Sequence, residues 1–95
     1  MSQYDLKVGD EVTTIEDGQS KIYIIINYKP GDNWVIVLTK AEGWHYALRA
    51  NTLIPTGQHY QFSDELKREL EDAMTYKFNI SKRLLTEPYL QLVTT

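Results

Sequence analysis

His45 and His59 are the only side chains in this 95-residue chain with an ordinary pKa near neutrality, so proton-transfer or metal chemistry would have to start from them. A zinc site built on either would need carboxylate ligands to complete it, and no acid stands at a spacing that offers them. Neither histidine lies in a local Ser-His-Asp or paired-acid motif. Asp10, Glu11, Glu16 and Asp17 could bring two carboxylates to one place, but they flank an expected strand and turn, where charges are ordinarily just solvated. Gly9, Gly18, Gly31, Gly43 and Gly57 are isolated next to turn positions and form no phosphate-cradling loop. There is no cysteine, hence no thiol nucleophile, thiolate metal site or disulfide framework. The expectation is a protein with no catalytic residues, no cofactor and no metal.

What remains is an aromatic stock. Seven tyrosines and two tryptophans raise the aromatic share to 12%. Rings offer rigid contact area and π faces for a peptide groove or a cation cage. Tyr23, Tyr28, Trp34, Trp44 and Tyr46, with His45 between the last two, are the candidate binding residues. Trp44 shares an expected strand face with Tyr46 and Leu48 and is expected in the core. Trp34 follows a polar loop and is expected at the surface, and His45 should point outward.

Lysine and arginine number ten against thirteen acids, a formal charge of −3. A phosphate-binding surface generally wants a basic excess, and residues 1–57 hold five basic and seven acidic side chains. Nucleic acid is therefore a disfavoured partner, although Lys21, Lys29, Lys40 and Arg49 could contact phosphate while an aromatic ring stacks on a base. No run of like charge imitates a polyanion. The first residues lack a basic segment followed by an apolar one, and no apolar run reaches the roughly 18 residues of a membrane span. A soluble, cytoplasmic protein is expected.

These residues need elements to position them. A chain of this length supports a single core, since small domains bury only about 60% of their unfolded surface, and one domain is expected over residues 1–95. From Leu6 to Pro55 the turn signals recur roughly every eight to twelve residues, as in a run of short strands: Asp17-Gly18, Pro30-Gly31-Asp32-Asn33 and Glu42-Gly43, with a short helical turn expected at Ala50-Asn51-Thr52. Between them Ile22, Ile24 and Ile26 alternate with Tyr23 and Ile25, and Trp34, Ile36 and Leu38 with Val35 and Val37. Both strands are apolar on both faces, so each face must be covered.

The cover lies downstream. Ser63-Asp64-Glu65 is a helix start, with a capping hydroxyl and two carboxylates at the positive end of the helix dipole. Phe62, Leu66, Leu70, Ala73, Met74 and Phe78 recur at helical spacing on one stripe, which predicts an amphipathic helix over 62–79. Residues 80–95 form a C-terminal extension in which Pro88 ends what precedes it, and Tyr89 to Val93 read as a tail or an edge strand. Residues 56–61 serve as the joint between the two halves.

Leu6-Lys7-Val8-Gly9-Asp10-Glu11-Val12, then Lys21-Ile22-Tyr23-Ile24, Gly43-Trp44-His45-Tyr46 and Leu53-Ile54-Pro55 resemble small SH3-like barrels of the kind common in bacteriophages and prophages. The resemblance covers about residues 6–55. It implies an α+β fold: an SH3-like antiparallel β-barrel of four to five strands over residues 1–57, followed by one C-terminal helix. The acidic, aromatic opening of barrels that bind proline-rich peptides is not reproduced at Tyr4-Asp5-Leu6.

With the lack of catalytic groups, this implies a phage-encoded accessory factor that binds a host protein and modulates or inhibits it. The alternatives are a nucleic-acid-binding barrel and a small virion or assembly component completed by self-association.

Overall fold

The computed structural model describes residues 5–14 and 21–93. Six strands form one antiparallel sheet in the order β4-β3-β2-β1-β5-β6. They are β1 (Asp10–Thr14), β2 (Tyr23–Asn27), β3 (Trp34–Leu38), β4 (His45–Arg49), β5 (Leu53–Phe62) and β6 (Leu90–Val93). A single turn of 3-10 helix, Ala50–Thr52, links β4 to β5 as expected, and helix α1 (Asp64–Tyr76) lies between β5 and β6, followed by a second 3-10 turn at Lys82–Leu85.

The two-faced strands are covered on both sides, each by a different means. On one face Ile24, Ile26 and Leu38 join Leu66, Leu70 and Ala73 of α1 and Ile80, Leu84 and Leu85 beyond it in one buried cluster. On the other, Val12, Tyr23, Ile25, Val35, Val37 and Leu53 form a second cluster with Leu6 and Ala50. No helix lies over this second face among the described residues, yet Val12, Ile25, Val35 and Val37 are fully buried. The sheet therefore curls over its own concave side. Breaks in register between Asp10 and Val12 and between Ile25 and Asn27 supply the bends, as bulges do.

A closed SH3-like barrel ending in a C-terminal helix is not what forms. β5 is ten residues long, and its second half pairs with β6, Phe62 opposite Leu90 and His59 opposite Val93. The ladder is thus extended outward by a sixth strand, and β4 and β6 remain as two separate edges of an open sheet. The helix sits inside the element order because the chain returns from it to the sheet. The fold is α+β, an open bent sheet with one helix on its convex side.

The joint expected at residues 56–61 is continuous strand. Gly57 accommodates a positive φ of 95° within β5, so the turn residues there bend the strand without ending it. The Asp17-Gly18 turn lies outside the described residues.

Helix α1 starts as its sequence dictates. Ser63 Oγ accepts a hydrogen bond from the Leu66 amide at 3.1 Å, with Asp64 and Glu65 in the first turn. It ends at Lys77, which takes the left-handed conformation and donates its amide to the Ala73 carbonyl at 2.8 Å. Gly43 then locks the chain beyond the helix to the β3–β4 turn. The Ile80 amide donates to the Gly43 carbonyl at 2.7 Å, and Asn79 Nδ2 donates to the Glu42 carbonyl at 2.9 Å. Gly43 has a φ of 69°, and a Cβ there would overlap the Ile80 carbonyl oxygen, so this contact requires glycine.

Candidate functional site

Tyr23 and Tyr46 come together where β2, the β3–β4 turn and β4 meet. Tyr23 is buried in the concave cluster, and its ring meets Tyr46 edge-to-face with centroids 6.4 Å apart. Tyr46 is held from its other end, since its hydroxyl donates to Glu42 Oε1 at 3.0 Å and Thr39 Oγ1 donates to the same oxygen at 3.3 Å. The Glu42 carboxylate accepting this bond, with a smaller effect of burial, pushes the Tyr46 phenol above its ordinary value.

Two clefts flank the Tyr23–Tyr46 pair. The larger, about 520 Å³, has Ile22, Tyr23, Ala41 and Tyr46 as its apolar lining and Lys21, Lys40 and Glu42 among its polar groups. The second, about 280 Å³, is lined by Tyr23, Trp34, Leu48 and Arg49 with Thr14 and Thr52. Trp34 is 52% exposed, and the Arg49 guanidinium lies 5.2 Å from its ring centroid.

Strand β4 presents a free backbone edge beside these clefts. The Thr39 amide donates to the Trp44 carbonyl and the Ala50 amide to the Asn33 carbonyl, which places Trp44, Tyr46, Leu48 and Ala50 in the hydrogen-bonded positions facing β3. The backbone groups of His45, Ala47 and Arg49 point the other way, where no strand follows. Thr52 Oγ1 donates to the Arg49 carbonyl at 2.7 Å and closes that end.

The six residues singled out from sequence thus separate. Tyr23, Trp34 and Tyr46 line the clefts. Tyr28 is half-buried against the concave cluster and lines neither. Trp44, expected in the core, is half-buried outside both clusters and stacks on His45 with centroids 4.8 Å apart. His45 is on the opposite strand face from Tyr46, and its Nδ1 is enclosed without a hydrogen-bond partner among the described residues. Desolvation, with a smaller contribution from the Lys77 charge, holds its pKa below 6.5.

Sequence reading missed Thr39 and Glu42 as the supports of Tyr46 and Lys77 as a neighbour of His45. Glu42 stands four residues before Tyr46 across a turn, a spacing that carried no strand or helix signal.

The other histidine belongs to a separate polar cluster between β1 and β5. His59 Nδ1 meets Asp10 Oδ1 at 2.8 Å, and Asp10 Oδ2 accepts from the Lys7 amide at 3.0 Å. Glu11 accepts from Thr56 Oγ1 at 2.8 Å and from the Tyr60 hydroxyl at 3.2 Å. Burial, followed by the Glu11 charge and hydrogen bond, raises the Tyr60 pKa. Each carboxylate is committed to neighbours that fasten the bulged β1–β5 pairing, so this is a structural cluster. The remaining two acids of the sequence-derived set, Glu16 and Asp17, lie outside the described residues. Among the described residues no group of three or more potential metal ligands converges, and no helix is long and apolar enough to cross a membrane.

Compared with known proteins, the chain matches no family model, no curated protein and no solved structure.

Proposed function

We propose that this protein is a non-enzymatic, cytoplasmic accessory factor that binds another protein by receiving an extended segment of it along β4. The observation that carries this reading is the coincidence of an unpaired strand edge with two ring-lined clefts sharing Tyr23 and opening beside it. An added strand gains affinity from main-chain hydrogen bonds and specificity from pockets that take its side chains. Exposed Ile22, Trp34 and Tyr46 supply apolar and aromatic contact area around those pockets, the composition that dominates interface energetics. Modulation or inhibition of the bound protein follows if the captured segment is one that the partner needs free.

Selection of random peptides on the immobilised protein tests this. Enriched peptides should bind the protein and lose at least about tenfold in affinity to Tyr46→Ala or Trp34→Ala, the loss of a contact worth about 1.4 kcal/mol. Peptides that bind both variants as well as the parent would refute docking at this edge, as would a selection that enriches nothing.

A further inference from the structure

Charge is distributed unevenly around the β4 edge. Lys21 and Lys40 line the larger cleft and Arg49 the smaller. Lys77, the residue that ends α1, comes two residues before Asn79, whose side chain hydrogen-bonds the β3–β4 turn, and its charge adds to the desolvation that lowers the His45 pKa. Four of the chain's ten basic side chains thus surround one strand of a protein whose net charge is −3. The ion pairs among the described residues are elsewhere, His59 with Asp10 and Arg83 with Glu65. Lys40 and Arg49 lie instead over the rings of Tyr60 and Trp34, at 5.2 Å each, and neither is ion-paired among the described residues. Among the described residues the acid lining the clefts is Glu42, whose Oε1 is already engaged by Tyr46 and Thr39.

Resting on the docking reading above, we propose that the segment received along β4 is acidic: an extended peptide whose bulky apolar side chains enter the two clefts while its carboxylates meet Lys21, Lys40, Arg49 and Lys77. Along an added strand every second side chain faces the clefts, so apolar anchors and acids share those positions, the anchors against the rings and the acids against the cations of the same lining, while an acid between them faces the His45 side, where Lys77 lies. Charge complementarity of this kind sets specificity and speeds encounter. A peptide suits the edge better than a nucleic acid does. The outward backbone groups of His45 and Ala47 offer donors and acceptors in alternation, which another polypeptide backbone matches.

The test uses the whole protein and three probes: a blocked peptide with aspartate, phenylalanine and leucine sharing every second position and serine between them, its lysine counterpart, and a short oligothymidylate. The acidic peptide should bind at least about tenfold more tightly than the lysine peptide at low salt, and the preference should shrink as salt screens it. Lys21→Glu combined with Lys40→Glu should remove that preference. Lys67→Glu combined with Lys82→Glu, the same charge change on the helix side, should leave it intact, which separates local complementarity from net charge. Because all four lysines are exposed, folding of both variants can be verified by unchanged melting. Equal binding of the two peptides, or a preference that survives at the cleft variant, overturns the acidic-segment proposal while leaving docking at β4 standing. Tighter binding of the oligothymidylate overturns it in favour of a nucleic acid. Concentration-dependent self-association that excludes the acidic peptide overturns it in favour of a second copy of this chain.

Discussion

Replacing Leu70 by alanine probes whether α1 holds the sheet or merely lies near it. Leu70 is 3% exposed and belongs to the cluster that joins Leu66 and Ala73 of the helix to Ile24, Ile26 and Leu38 of the sheet. The substitution deletes three carbons, a transfer loss of about 2.4 kcal/mol at about 0.8 kcal/mol each. A cavity term adds to this because buried neighbours on both sides limit collapse, and the expected total is about 3 kcal/mol, within the range of about 2 to 5 seen for such changes. For a domain of this size that lowers Tm by about 12 to 24 °C. Urea unfolding followed by tryptophan fluorescence and by far-ultraviolet circular dichroism measures it. Tyr76→Ala is the control on the same helix, since that ring is 73% exposed and its removal should change stability by less than about 0.5 kcal/mol. If Leu70→Ala cost under about 1 kcal/mol, or no more than Tyr76→Ala, the helix stripe would not be sealing the convex face.

Three further outcomes follow from local geometry. Gly43→Ala should cost about 2 kcal/mol or more, combining the left-handed penalty with the lost Ile80–Gly43 hydrogen bond, and should weaken peptide binding because the turn it displaces carries Glu42; unchanged denaturant midpoints would contradict this. Ser63→Ala should cost about 1 kcal/mol through loss of the cap on the Leu66 amide, while Ser63→Asp should retain most of it. His45 has a folded pKa below its unfolded value, so the unfolded chain binds the extra proton; its contribution is present above pH 6.5 and is lost as pH falls through the folded pKa. Stability measured downward from neutral pH should therefore decline less steeply in His45→Gln than in the parent, and parallel curves would contradict it.

Much of the fold was legible because it rests on local chemistry. The alternation of Tyr23 to Ile26 and of Val35 to Leu38 announced two buried faces, and both are buried. Ser63 and the Leu66–Leu70–Ala73 stripe announced α1, whose bounds differ from expectation by a few residues at each end. Closure could not be read the same way. Whether a curled sheet meets its own first edge depends on where β5 stops, and Pro55 and Gly57 look like turn residues although the strand runs through them to Phe62. β6 was ambiguous because its four residues become a strand only through pairing with His59 to Phe62. The candidate site was half legible. Aromatic type nominated Tyr23, Trp34 and Tyr46, but nothing in spacing set Tyr28 apart from them, and the spacing that put Trp44 in the core was misleading, since it lies outside both clusters. Glu42, Thr39 and Lys77 reach the site only through the turn that Gly43 fastens to Ile80.

Amide hydrogen exchange along β4 in the unliganded protein tests the open edge most directly. Tyr46 and Leu48, whose amides face β3, should exchange slowly, while His45, Ala47 and Arg49 exchange at rates near those of an exposed chain. Uniform protection of all five amides would mean that the edge is already covered, and there would be no free strand for a partner to join.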